Sequence, residues 1–139
     1  MHAMVELRRL RSRDDGGIVV GWLTKIVVVV GLVGVLAFDA ISIGVSRLAV
    51  EDAGALAARE ASTEVSRSGD VQAAYAAAVT TAAEANPLNE VPPEAFEALP
   101  DGGVRLTVAR EATTFVVHRV AWIADWARVR ATVTGRPLP

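Results

Sequence analysis

The 139-residue chain contains no cysteine, only two histidines and few aromatic residues, 5% of its positions. Without cysteine there are no disulfides, thiolate zinc sites, cysteine nucleophiles or cysteine-linked lipids. His2 and His118 stand far apart in sequence, and no carboxylate is spaced to complete a metal site with either. His118 therefore reads as a surface or internally satisfied side chain. No serine has a histidine and an aspartate in a suggestive context, and no glycine loop has phosphate-cradling spacing. Gly16–Gly17 and Gly102–Gly103 read as turn glycines. These absences argue against catalysis, a cofactor or a small-molecule substrate. A net charge of −2 provides no general attraction to nucleic acid. Large apolar side chains are scarce too. Hydrophobic residues reach 52%, but Ala and Val dominate, and Ala buries little area at about 25 cal/mol per Å².

What the chain does have is one long apolar run. Between Ile18 and Val45 the only formal charges are Lys25 and Asp39. A hydrocarbon core of about 30 Å takes roughly 20 helical residues, which 18–38 or 26–45 can supply. A lone span must be helical, because lipid offers its backbone no other hydrogen-bond partners. Lys25 and Asp39 are separated by about 21 Å along a helix. Lys25 can therefore snorkel to the inner interface while Asp39 sits near the outer one, hydrated at headgroup depth or facing a neighbouring helix. Trp22 fits an interfacial belt. Gly31, Gly34, Ala37 and Ala40 give the span a small-residue face that permits close helix approach.

Arg8, Arg9, Arg11 and Arg13 precede the run, and only Arg47 follows it closely. The positive-inside rule then places residues 1–17 in the cytoplasm, as a short basic leader, and 46–139 outside. The run exceeds the usual apolar region of a signal peptide, roughly 7–15 residues. A secreted product beginning near Ser46 is accordingly the weaker reading.

Beyond the span, "SRLAVEDAGALAAREASTEVSR" continues without a helix breaker. Val45, Leu48, Ala49, Asp52, Ala53 and Leu56 recur at helical spacing and predict a packing stripe of mostly small residues. Arg47 and Glu51 form an i,i+4 pair. Asp70 is a good N-cap for a second helix, "VQAAYAAAVTTAAEA", whose expected stripe is Val71, Tyr75 and Val79. Residues 86–103 hold a proline- and glycine-rich loop, with one turn near residues 93–98. "GVRLTVAR" and "ARVRATVTG" both alternate with period two and predict antiparallel strands. The connector between them reads as an amphipathic helix or a hooked loop, with a strand at 113–117 as the alternative. Trp122 and Trp126, spaced i,i+4, join Phe115, Val120 and Ile123 either as the core of the head or as a patch for the outer leaflet or a partner. The core is the first expectation.

The predicted architecture is α+β. A long N-terminal helix, its first half transmembrane, combines with a second helix packed on a small antiparallel sheet. Its parts are a leader (1–17), a span (18–45), Ala-rich helices (46–85), a loop (86–103) and a β head (104–139).

This order of parts resembles the TadE/TadG-like family of pilin-like, tight-adherence pilus assembly proteins. The segments that carry the resemblance are "RSRDDGG", "VLAFDAISIG", "RLAVEDAGALAAREAS", "VRLTVAR" and "ARVRATVTG". The resemblance implies a bacterial inner-membrane protein that works by helix packing, with membrane-protein partners along its span and Ala-rich stalk. Gly17 is the candidate processing site. Members of such families that are processed like prepilins carry Glu five residues after the cleaved glycine, where this chain has Trp22. That implies a minor or unprocessed component. The alternative is an accessory subunit of a membrane-embedded enzyme or transporter, with Lys25 and Asp39 pairing with the larger subunit.

Overall fold

The computed structural model describes the backbone of residues 2–116 and 119–138, and the side chains of 17–116 and 119–138. His118 lies outside the described residues. Helix α1 runs His2–Ser68 and α2 runs Val71–Ala85; three strands follow, β1 (Phe96–Ala98), β2 (Val104–Glu111) and β3 (Arg128–Gly135). By internal contacts the chain divides into two units, residues 1–37 and 38–139, and α1 contributes to both. The expected α+β fold is therefore observed.

The first unit is helix alone. The leader expected at 1–17 is helical from His2, and Gly16–Gly17 continue the helix instead of turning. From Gly17 to Gly34 every side chain is exposed, Lys25 among them. One helix, described as Gly17–Ser68, is long and apolar enough to span a membrane.

In the second unit, α1 ends where Gly69 adopts a positive φ of 69° and its N–H donates to the Val65 carbonyl at 2.8 Å. Only glycine takes that conformation at little cost, and it stops a helix by satisfying a terminal carbonyl. Asp70 then restarts the chain as helix. One of its carboxylate oxygens accepts from Gln72 N (2.8 Å) and Ala73 N (3.2 Å). Asp70→Ala is expected to cost about 1 kcal/mol, read as a lower melting temperature of the detergent-solubilised protein.

The sheet has order β1-β2-β3 and is antiparallel throughout. Val104 pairs with Gly135, Leu106 with Val133 and Val108 with Ala131, so period-two alternation puts these six on one face. That face meets the helices. Val104, Leu106 and Val108 are fully buried with Val50, Ala57, Ala58 and Ala61 of α1 and Ala74, Ala78 and Ala82 of α2. The outer face carries Arg105, Thr107, Arg128, Arg130 and Thr132. Thr107 and Thr132 are joined by a 2.8 Å hydrogen bond across it, and Arg105 meets Glu97 at 3.2 Å. The expected Arg47–Glu51 pair forms at 3.5 Å.

Both helical stripes differ from expectation. On α1, Val45, Leu48, Ala49, Asp52 and Leu56 are exposed, and of the predicted stripe only Ala53 is buried. At about 100° per residue, the buried Val50, Ala57 and Ala61 occupy the opposite side of the helix. On α2, Val71 and Val79 are exposed while the Ala74–Ala78–Ala82 row is buried; Tyr75, half-buried, donates its hydroxyl to the Val91 carbonyl at 2.8 Å. The physical reason is size. The strands supply the bulk, so the helices must supply small residues to come close. A Cβ on Gly54 would meet Val133 Cγ2 at 2.9 Å, and one on Gly135 would fall on the main chain of Ala58.

The loop expected over 86–103 also holds a short strand. A 3-10 turn at Pro93–Ala95 leads into β1, which adds the third strand beside β2. The alternative strand at 113–117 does not form in its described part, residues 113–116.

Candidate functional site

The most unusual local chemistry lies where the connector between β2 and β3 meets residues 38–46 of α1. In its described residues, 112–116 and 119–127, this connector is a hook and not an α-helix. Its neck closes where Ala112 N donates to the Ala127 carbonyl at 2.6 Å, and its last turn is a 3-10 segment, Ala124–Ala127. Small residues sit in the neck: Ala112, Thr114 and Ala127 are buried.

Asp39 holds the hook. Its two carboxylate oxygens accept from the backbone N–H groups of Phe115 (2.8 Å) and Val116 (3.0 Å). The side chain is only 1% exposed. The expectation of a hydrated carboxylate at headgroup depth is therefore corrected: the group is enclosed by its own chain. A carboxylate accepting two successive N–H groups acts as an N-cap does for a helix, at a site where the backbone would otherwise leave donors unmatched. Ser42 Oγ reinforces the clamp by donating to the Thr113 carbonyl. Arg110 reaches from the end of β2 to the Ser46 carbonyl at 3.3 Å. The Phe38 and Phe115 rings pack with centroids 5.2 Å apart.

The outer side of the hook is apolar and uncovered. Trp122 is 84% exposed, Trp126 69% and Phe115 60%; on the adjoining helix Phe38 and Ile41 are exposed as well. The expectation that the tryptophan pair fills the head core is thus overturned. Without a helix here, i,i+4 spacing does not gather the two side chains onto a buried face. The interior is already filled by Val104, Leu106 and Val108 against alanines. The patch alternative, in which these side chains face outward, is the one whose geometry is present.

The remaining predicted positions lie in the first unit. Gly17, Gly31 and Gly34 have nothing within 4 Å of a would-be Cβ, and Lys25 and Ala37 are exposed. Of Lys25, Gly31, Gly34, Ala37 and Asp39, Asp39 alone belongs to the same folded unit as Trp122 and Trp126. Among the described residues no three His, Cys, Asp or Glu side chains converge as a metal site would need. Sequence reasoning missed the clamp because its partners are backbone N–H groups 76 and 77 residues away, which no side-chain pattern reveals.

No family model, curated protein or solved structure matches the chain.

Proposed function

We propose that this chain is a single-pass membrane protein of structural rather than catalytic character, a pilin-like component of a tight-adherence-type pilus or related secretion machine. Residues 18–45 span the bacterial inner membrane, the N-terminus is cytoplasmic and the head is outside. The observation that carries this reading is the division of labour along α1. Its first part presents apolar side chains all round, Gly17 to Gly34 being exposed, which suits lipid. Its last part buries one face under the sheet and leaves Val45, Leu48 and Leu56 uncovered on the other. That outward stripe, continuous in sequence with the span, suits docking on neighbouring subunits. Gly31, Gly34 and Ala37 permit close packing within the bilayer.

The test is purification of the tagged native protein in mild detergent, followed by mass spectrometry of what remains bound and of the protein's own N-terminus. Stoichiometric pilus-platform or pilin proteins are expected, and a mature end at Ile18 would add processing after Gly17. Recovery of a large membrane enzyme or transporter instead would replace this reading with the accessory-subunit one. Leu48→Glu with Leu56→Glu is expected to reduce recovery of the partner severalfold while leaving the melting of the head unchanged, since both positions are exposed.

A further inference from the structure

We infer that the hook between β2 and β3 is a second membrane contact: an interfacial anchor whose aromatic tip enters the outer headgroup region and whose arginines take anionic phospholipid headgroups. The inference rests on the proposal that residues 18–45 span a bilayer.

Position carries the first step. Asp39 binds the backbone of Phe115 and Val116 directly, so the hook is fixed beside a residue in the last turns of the apolar run. If that run is in lipid, the hook lies at the depth where it emerges. Its exposed side chains suit that depth. Tryptophan is the residue most at home at the boundary between hydrocarbon and water, its ring apolar and its N–H polar. Trp122, Trp126 and Phe115 here join Phe38 and Ile41 in an uncovered apolar surface within the same folded unit.

Charge carries the second step. Residues 46–139 as a whole carry more acidic than basic side chains, yet 110–130 reverse the balance with Arg110, Arg119, Arg128 and Arg130 against Glu111 and Asp125. Arg47, Arg128 and Arg130 line one open cleft together with Trp126 and Asp125. Among the described residues neither Arg128 nor Arg130 makes an ion pair. Guanidinium groups beside an indole make a setting for a phosphodiester whose acyl chains run past the ring. Asp125 in the same cleft is outnumbered by the three arginines, so the lining keeps a net positive charge. Asp39 is what makes this arrangement tolerable: two backbone N–H groups that would otherwise approach lipid unmatched are given a carboxylate from within the chain.

The test uses the full-length protein in sealed vesicles. A Trp22→Phe variant leaves Trp122 and Trp126 as the only fluorophores of their type. Vesicles of phosphatidylcholine, alone or mixed with phosphatidylglycerol, contain acyl chains brominated near the headgroup, and acrylamide is present on both sides in parallel samples. The expected result is loss of most hook fluorescence to the brominated lipid with little loss to acrylamide. The lipid quenching should rise with phosphatidylglycerol and fall back in high salt. Strong acrylamide quenching without lipid quenching would overturn the proposal and leave a protein partner as the occupant. Protection from both quenchers would overturn it in favour of a second copy of this chain. Equal quenching in the two lipid mixtures would overturn the headgroup assignment. The companion Trp122→Phe/Trp126→Phe variant reports on Trp22 alone. If Trp22 also escapes the brominated lipid, it is the span that has failed and not the hook.

Discussion

Gly135→Ala is expected to destabilise the head by about 3 kcal/mol, toward the upper end of overpacking costs, and Gly135→Val to prevent β3 from docking on α1. The reason is local and steric. Gly135 pairs with Val104 at the end of β3, and its missing Cβ is what lets the strand touch the helix backbone. A Cβ there would fall on the Ala58 carbonyl group and lie 2.7 Å from Arg59 N. Those are main-chain atoms, so no side-chain rotation relieves the clash. Either strand or helix must move, and moving either opens the row of buried alanines. Gly54 is the informative contrast. Its added methyl would meet a side-chain atom, Val133 Cγ2, at 2.9 Å. Gly54→Ala should therefore be partly rescued by Val133→Ala, whereas Gly135→Ala should not be rescued by Ala58→Gly. Thermal unfolding of the detergent-solubilised variants separates the two cases. Gly44→Ala, with nothing within 4 Å of its Cβ, serves as the control without a clash and should raise the melting temperature slightly, alanine being the better helix former. Equal melting temperatures for Gly135→Ala and the unaltered protein would show that the sheet does not sit this close to α1.

The same close approach explains what was and was not legible in the sequence. The two long strands were, because Val104, Leu106 and Val108 alternate with polar partners and so do Val129, Ala131 and Val133. The α2 start was legible in Asp70, whose chemistry is local. The buried faces of both helices were not. Helical spacing selects Val45, Leu48, Ala49, Asp52, Ala53 and Leu56 on α1 and Val71, Tyr75 and Val79 on α2, but in Ala-rich helices more than one face satisfies that spacing. In this head the large residues belong to the sheet, and the helices contribute Ala and Gly; the larger helical residues are left outside. β1 leaves no such mark in the sequence, because three residues after a proline turn are too few to show alternation.

The alanine face of α1 also carries the helix side of the clamp. Asp39 precedes Ala57 by 18 residues, which is five turns at about 3.6 residues each, so the two side chains leave α1 on the same side. A carboxylate on the sheet-facing side of a helix needs donors from the head. The identity of those donors was not legible, since Phe115 and Val116 offer only their backbone.

That clamp sets the second large effect. Asp39→Ala is expected to weaken attachment of the hook by about 3 kcal/mol, because it leaves two partly buried N–H groups without an acceptor and each costs about 1–3 kcal/mol, less where water can enter. Asp39→Asn should fall between, keeping one acceptor oxygen and turning an NH2 donor toward an N–H. The measurement is amide hydrogen exchange at Phe115 and Val116 in detergent micelles, paired with the rate of tryptic cleavage after Arg119, which is exposed. Both should accelerate strongly in Asp39→Ala and less in Asp39→Asn. The Thr107–Thr132 ladder and the Gly135 contact lie away from the clamp, so exchange within β2 and β3 should change little. Protection at Phe115 and Val116 that survives the alanine substitution would mean the carboxylate does not hold the hook. Loss of protection across the whole sheet would mean that hook and head unfold as one unit, and that Asp39 acts as a folding contact for the entire head. The expected outcome, local release alone, makes Asp39 a fastener placed where the apolar run gives way to the head: it ties the hook to α1 through backbone groups, without using the tryptophans in the core.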